Sequence, residues 1–317
     1  MLHIMNRLKR FPLALAVMTV SALLVWAVFS PIKIFTQKPS ASQQESKPSK
    51  GKVLSDRPVS YNPPEAKRAC LLIHGLGGGP REMNEMAAFL AQKGIATETI
   101  RLPGHGATAD RKMPVSGGSR GQEWLKAIQL RYNQLYQRYP AHVSLIGLSN
   151  GGSVSLAFAK RNQATKPLES VVLLAPFFKI APFKVLNMAL PVEPFIPFIA
   201  PILKETKRGP ESAFDHSAQQ ALQAARPLDT FNLVTLQHSL ALIQDVTAAL
   251  PTIKTPALMI LSTRDEVVDN QASQKAFERL GSSQKTLIRV HNSNHILPLD
   301  HDRAQVEQWV YAFLNRS

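Results

Sequence analysis

The chain has 317 residues, with 44% hydrophobic and 19% charged content, which excludes a disordered polymer and allows one large core. Its net charge of +15 raises a nucleic-acid reading, but residues 1–68 alone hold 11 Lys/Arg against 3 Asp/Glu. About half the excess therefore lies in a leader and linker, where basic residues mark membrane flanks; no zinc-finger or aromatic–basic RNA signature accompanies them, and no nucleic-acid partner is expected.

Residues 1–10 form a basic flank with Arg7, Lys9 and Arg10, and an uncharged run follows from Phe11 to Ile32. At about 1.5 Å per residue, roughly 20 helical residues span a hydrocarbon layer of about 30 Å. Residues 11–32 are therefore expected to be a transmembrane anchor, with Pro12 in its first turn and Trp26 near the far interface. A cleaved signal peptide is the competing reading, but its best site, Val25-Trp26-Ala27, is a poor small-x-small match. The cations before the span favour a cytoplasmic N-terminus. That places the rest of the chain outside the cytoplasm, at a bacterial inner membrane, although Lys33, Lys38, Lys47, Lys50 and Lys52 blunt the asymmetry. Residues 33–66, rich in Ser, Lys, Gln and Pro, read as a flexible tether, and the folded unit is expected to begin near Lys67.

Short apolar runs then alternate with amphipathic ones. Strands are expected at Ala69–Ile73, Ala96–Ile100, His142–Ile146, Val171–Ala175, Ala257–Leu261 and Thr286–Val290. Helices are expected from Pro80 to about Gly94, over about Gln122–Arg138, after Gly151, and over Asp302–Leu314. Such alternation implies an α/β fold with a mostly parallel sheet covered on both faces. The single cysteine, Cys70, falls in an apolar strand and reads as a small core residue. Between about 176 and 255 the alternation lapses, and this stretch reads as an inserted cap with a helix around Phe231–Leu250.

Four strand ends carry marked sequences: HGLGG (His74–Gly78), GLSNG (Gly147–Gly151), STRDEVVD (Ser262–Asp269) and HNSNH (His291–His295). A lone Gly-x-Ser-x-Gly is weak evidence, but after a buried strand it is the sequence of a nucleophile elbow. No metal-ligand spacing such as HExxH or paired CxxC is present, and no cofactor is implied. Ser, acid and His in this chain order, each after a strand, resemble the α/β-hydrolase superfamily. The compact carboxylesterase and monoacylglycerol-lipase branch is the nearest likeness, over about residues 68–315.

The resemblance implies that Ser149 is the nucleophile, Asp265 the acid and His295 the base, with the backbone N–H groups of Leu76 and Asn150 forming an oxyanion hole. Glu266 and Asp269 compete for the acid role, and His291 for that of the base. Asn150 departs from the apolar residue expected after the nucleophile. The resemblance further implies hydrolysis of carboxylic esters through an acyl-enzyme. Thioesters, peptides with a free N-terminus, C–C bonds and acyl transfer stay open, as does a non-catalytic binding protein on the same fold. Phenylalanines of the proposed cap, Phe195 and Phe198 among them, are expected to meet an apolar, lipid-like acyl group.

Overall fold

The computed structural model describes residues 54–105, 120–185, 188–190, 193–207, 211–225 and 230–316. The expected anchor at 11–32 lies outside the described residues, and no helix among the described residues is long and apolar enough to cross a membrane. In chain order the strands are β1 (Ser60–Tyr61), β2 (Ala69–Ile73), β3 (Ala96–Ile100), β4 (Val143–Leu148), β5 (Val171–Leu174), β6 (Phe183–Val185), β7 (Met188–Leu190), β8 (Glu205–Lys207), β9 (Thr230–Asn232), β10 (Ala257–Ser262) and β11 (Lys285–Val290).

Seven of them make one sheet in the order β1-β3-β2-β4-β5-β10-β11. All neighbours pair in parallel except β1, which runs antiparallel to β3. Period-two alternation explains why both faces are covered. Along β2, Ala69, Leu71 and Ile73 enter one core cluster, and Cys70 and Leu72 enter the other. The first cluster contains Trp124 and Tyr132 of helix Arg120–Arg138 and Phe158 of helix Asn150–Asn162. The second contains Met86 and Leu90 of helix Asn84–Gln92 and Val306 and Val310 of helix Arg303–Leu314. Each such side chain, fully buried, contributes about 1.5–3 kcal/mol against an exposed one. Cys70 is the core residue its setting suggested, buried with Leu72 in the second cluster, and that burial pushes its thiol far above the ordinary value, with Glu169 adding to it.

The structure adds detail to three expectations. Part of the expected tether, residues 54–61, packs on the domain. Leu54 is buried, β1 adds an antiparallel edge, and the Asp56 carboxylate binds Arg81 at 2.9 Å and Arg101 at 2.8 Å. A two-residue strand has too little hydrophobic periodicity to show in a sequence, and the Asp56 partners come from distant elements. The 176–255 stretch is likewise not wholly a separate cap. It does hold two small antiparallel pairs, β6 with β7 and β8 with β9, and a four-residue helix at Ile196–Ile199. Its last helix, Leu233–Ala249, instead sends Leu242 and Val246 into the first core cluster. The expected helix at Pro80 also divides, into a 3-10 turn at Pro80–Glu82 and an α-helix at Asn84–Gln92.

From β2 the chain moves outward to β3, then returns to the other side of β2 as β4. This reversal is a topological switch point, and the crevice outside the carboxyl ends of β2 and β4 is where such sheets bind ligands. The His74 turn leaves β2 there and Ser149 leaves β4.

Candidate active site

β4 carries six consecutive buried residues and ends one residue before Ser149, where the next helix begins at Asn150. The reversal forces Ser149 to φ 54° and ψ −121°, a backbone region costly for any side chain and tolerated where a site needs it. It is held there by its N–H donating to the Leu174 carbonyl at 2.8 Å and its carbonyl accepting from Gly152 at 2.9 Å. The flanking glycines are required by close approach. A Cβ on Gly147 would lie 2.3 Å from the Gly151 backbone, and one on Gly151 would lie 2.4 Å from the Ile73 carbonyl oxygen. Ser149 itself is 7% exposed.

After β10 the chain turns around the Asp265 carboxylate, whose Oδ1 accepts the N–H groups of Val267 at 2.8 Å and Val268 at 3.0 Å. Its Oδ2 accepts from Nδ1 of His295 at 2.8 Å, with the Asp265 side chain fully buried. That bond places the proton on Nδ1 and leaves Nε2 as the acceptor.

The competing residues have other partners. Glu266 is bonded reciprocally to Asn294, its N–H donating to Oδ1 at 3.1 Å and its Oε2 accepting from Nδ2 at 2.9 Å. Asp269 caps helix Asn270–Arg279 by accepting from Gln271 and Ala272. His291 is exposed, 3.1 Å from the Thr263 hydroxyl.

The structure also reveals a brace that sequence spacing did not mark. Asp300 is a buried carboxylate that accepts N–H groups from Asn294 at 2.6 Å, Phe214 at 2.9 Å and Asp215 at 2.8 Å. The Ser212 carbonyl accepts from the N–H groups of both His295 and Ile296 at 3.1 Å. The segment 212–215 is thus tied to the loop that carries His295. Its partners lie some 80 residues apart in sequence, so no local pattern could announce it.

Burial alone would lower the His295 pKa. The charge and hydrogen bond of Asp265 outweigh it, Glu82 adds to them, and the imidazole is held above its ordinary 6.5. A raised pKa keeps the imidazolium populated to higher pH, so the neutral base is lost sooner as pH falls. The acidic limb of kcat/KM, measured against pH on a p-nitrophenyl ester, is therefore expected to have its midpoint above 6.5. A midpoint at or below that value would contradict this electrostatic picture.

On the β2 side, the Leu102 N–H donates to Nε2 of His74 at 3.0 Å, and the Nδ1 of His74 lies 2.8 Å from the Gly75 carbonyl. His74 is therefore a loop organiser. Asn150 is buried and its Oδ1 accepts from the Ser239 hydroxyl at 2.5 Å, which links the elbow to helix Leu233–Ala249. Phe195 and Phe198 do not form a buried wall: they are 43% and 75% exposed. Among the described aromatics of this stretch Phe177 is buried, its N–H donating to the Ser149 carbonyl at 3.1 Å.

A parallel sheet with helices on both faces, a serine on a strained strand-to-helix turn and a buried His–Asp pair define a serine hydrolase of the α/β-hydrolase fold. Comparison with known proteins agrees. The family described as serine aminopeptidase, S33 (Hydrolase_4), matches residues 64–302, and the chain belongs to this family. It is 21% identical to a carboxylesterase of Bacillus subtilis (strain 168) over 84% of this chain and 98% of that protein. It is 26% identical to a thermostable monoacylglycerol lipase of Bacillus sp. (strain H-257) over 74% of this chain and 86% of that one. Among solved structures, the metagenome-derived lipolytic enzymes LipS and LipT match with a TM-score of 0.70 at 22% identity, covering 84% of this chain and all of the other. A soluble variant of monoglyceride lipase from Saccharomyces cerevisiae matches at 0.67 and 16% identity, over 80% of this chain and 87% of that one.

Proposed function

We propose that this chain hydrolyses carboxylic esters with an apolar acyl group, through an acyl-enzyme on Ser149. The observation that carries the proposal is the buried Asp265–His295 pair at 2.8 Å, found in the same chain as a serine held in a strained turn at the switch point. In this reading the Ser149 hydroxyl attacks the ester carbonyl and passes its proton to Nε2 of His295. The N–H groups of Leu76 and Asn150 receive the oxyanion. Asp265 holds the tautomer and offsets the imidazolium charge. Collapse of the tetrahedral intermediate expels the alcohol, which takes the proton from His295. Water, deprotonated by the same imidazole, then releases the acid.

The family's description names aminopeptidases, so a peptidase is the second reading. Selecting a free N-terminus needs a carboxylate available at the cleft, and two acidic groups of this insertion, Glu193 and Asp215, have structural work. Glu193 accepts the Ile180 N–H at 2.7 Å, and Asp215 accepts from Ser217 and Ala218 at the start of helix His216–Ala225. The ester reading is favoured by the named activities of the Bacillus relatives.

The deciding experiment is a p-nitrophenyl ester series run beside thioesters and amino-acid anilides. Each buried methylene contributes up to about 0.8 kcal/mol, so kcat/KM is expected to rise up to about fourfold per carbon from acetate until the acyl site is full. In this proposal the exposed Phe195 and Phe198 meet the acyl chain at the mouth of the site, and their replacement by Ala lowers octanoate turnover several-fold more than acetate turnover. A flat profile would sink the apolar-acyl proposal, and faster anilide than ester turnover would favour the peptidase.

The span at 11–32 is proposed to tether the enzyme to the membrane, with its catalytic domain outside the cytoplasm in a bacterial host. The full chain is then expected to sediment with membranes, while a chain beginning at Pro48 stays soluble and active, keeping Leu54 and Asp56 in place. Mature protein that is soluble and starts near Val28 would identify a cleaved signal peptide instead.

A further inference from the structure

Glu82, at the end of the 3-10 turn Pro80–Glu82, is a buried carboxylate, 3% exposed, that belongs to no motif of the sequence. Its Oε2 accepts the Gly75 N–H at 2.9 Å. A Cβ placed on Gly78 would lie 2.1 Å from Oε1, so the bare backbone of the His74–Gly78 turn makes the room this carboxylate occupies. A Cβ on Gly75 would lie 3.4 Å from Oε2 and 3.3 Å from the Ser149 Cβ, so the carboxylate and the serine flank one point. The turn that Glu82 holds also carries Leu76.

A carboxylate buried this deeply has a large desolvation cost and persists where its charge is used or well bonded. We propose that Glu82 is a positioning residue of this hydrolase, whose carboxylate fixes the His74–Gly78 turn through Gly75 and sets a negative charge on the Ser149 side of the site. The proposal rests on the serine-hydrolase reading of Ser149 and His295. Asp265 acts on the imidazole from the acid loop and Glu82 from the turn after β2, and both raise its pKa. Among the described residues, other charged groups bonded to the loop that carries His295 are Glu266 and Asp300, through Asn294, and Asp302, through Asn292 and Ser293, while Glu211 precedes the Ser212 carbonyl that accepts the His295 N–H. They are common to every variant below and cancel in the comparison.

Glu82→Gln keeps an oxygen for the Gly75 N–H and removes the charge, while Glu82→Asp keeps the charge and shortens the reach. The primary readout is the proton NMR titration of the His295 imidazole, assigned with a His295→Gln sample, so it does not depend on substrate. In Glu82→Gln the midpoint is expected to fall by about half a unit or more. On p-nitrophenyl butyrate kcat is expected to drop about tenfold with KM within about twofold, as for an interaction made in the transition state. Glu82→Asp is expected to keep the wild-type midpoint and lose kcat. An unchanged midpoint in a folded Glu82→Gln, checked by circular dichroism and melting temperature, would overturn the proposal. Should that variant not fold, Glu82→Asp decides, and wild-type kcat in it would overturn the proposal too. Labelling of wild-type Ser149 by a fluorophosphonate is scored separately, because its absence would sink the hydrolase reading while the titration still reports on Glu82.

Discussion

Ser149→Ala is expected to lose ester turnover by about 10⁵-fold or more, with the melting temperature within about 2 °C of wild type. Alanine keeps the Cβ that packs against the Gly75 turn, and it faces the same backbone demand at φ 54° that serine already meets. Only the hydroxyl is lost, so the elbow keeps its shape while the step that forms the acyl-enzyme has no nucleophile. Turnover that survives at a few per cent of wild type would remove Ser149 from the mechanism. A large fall in melting temperature would instead assign the hydroxyl a structural role.

Asp265→Asn is expected to lower kcat by about 10⁴-fold while the loop stays folded. The carboxamide oxygen can still accept the Val267 and Val268 N–H groups, which Oδ1 accepts in the native turn. Its NH2 group then points at Nδ1 of His295, which must become an acceptor, and the ring proton moves to Nε2. An imidazole protonated at Nε2 cannot take the serine proton. His295→Ala is expected to be comparably severe, because the members of such a unit fail together. His291→Ala is expected to stay within about twofold of wild type, since its ring is exposed and lies against Thr263 on the loop's outer side. Loss of activity in His291→Ala with normal turnover in His295→Ala would transfer the base role. Kinetics on p-nitrophenyl butyrate, with circular dichroism as a fold check, read all three variants.

The alternation of apolar runs and amphipathic stretches was enough to give the fold class, because a strand buried on both faces has no polar positions to disguise it. β2 was legible to the residue for this reason; β3 matched to the residue although Thr97, Glu98 and Thr99 interrupt its apolar run, and β4, β5, β10 and β11 were legible to within two residues at either end. Ser149 was legible because the turn needs glycine on both sides of it, a requirement written locally in the chain. The choice among Asp265, Glu266 and Asp269, and between His291 and His295, was not local. In sequence each is a plausible group after a strand; in space one pair meets at 2.8 Å and each rival finds another partner.

The same division separates what the chain alone determines from what folding decides. Composition and period set the α/β class, the strand order of motifs set the candidate groups, and glycine spacing set the elbow. The tertiary structure decided that residues 54–61 pack on the folded domain, that helix Leu233–Ala249 joins the core, and that Phe195 and Phe198 are exposed. It alone brought Glu82 to Gly75, and Asp300 to the cap segment and the His295 loop together. The physical reason is range. Periodicity and turn chemistry act over a few residues and leave a pattern in the sequence. A buried carboxylate takes its partners from whatever the sheet's crossovers deliver beside it, and the distance along the chain between them carries no signal.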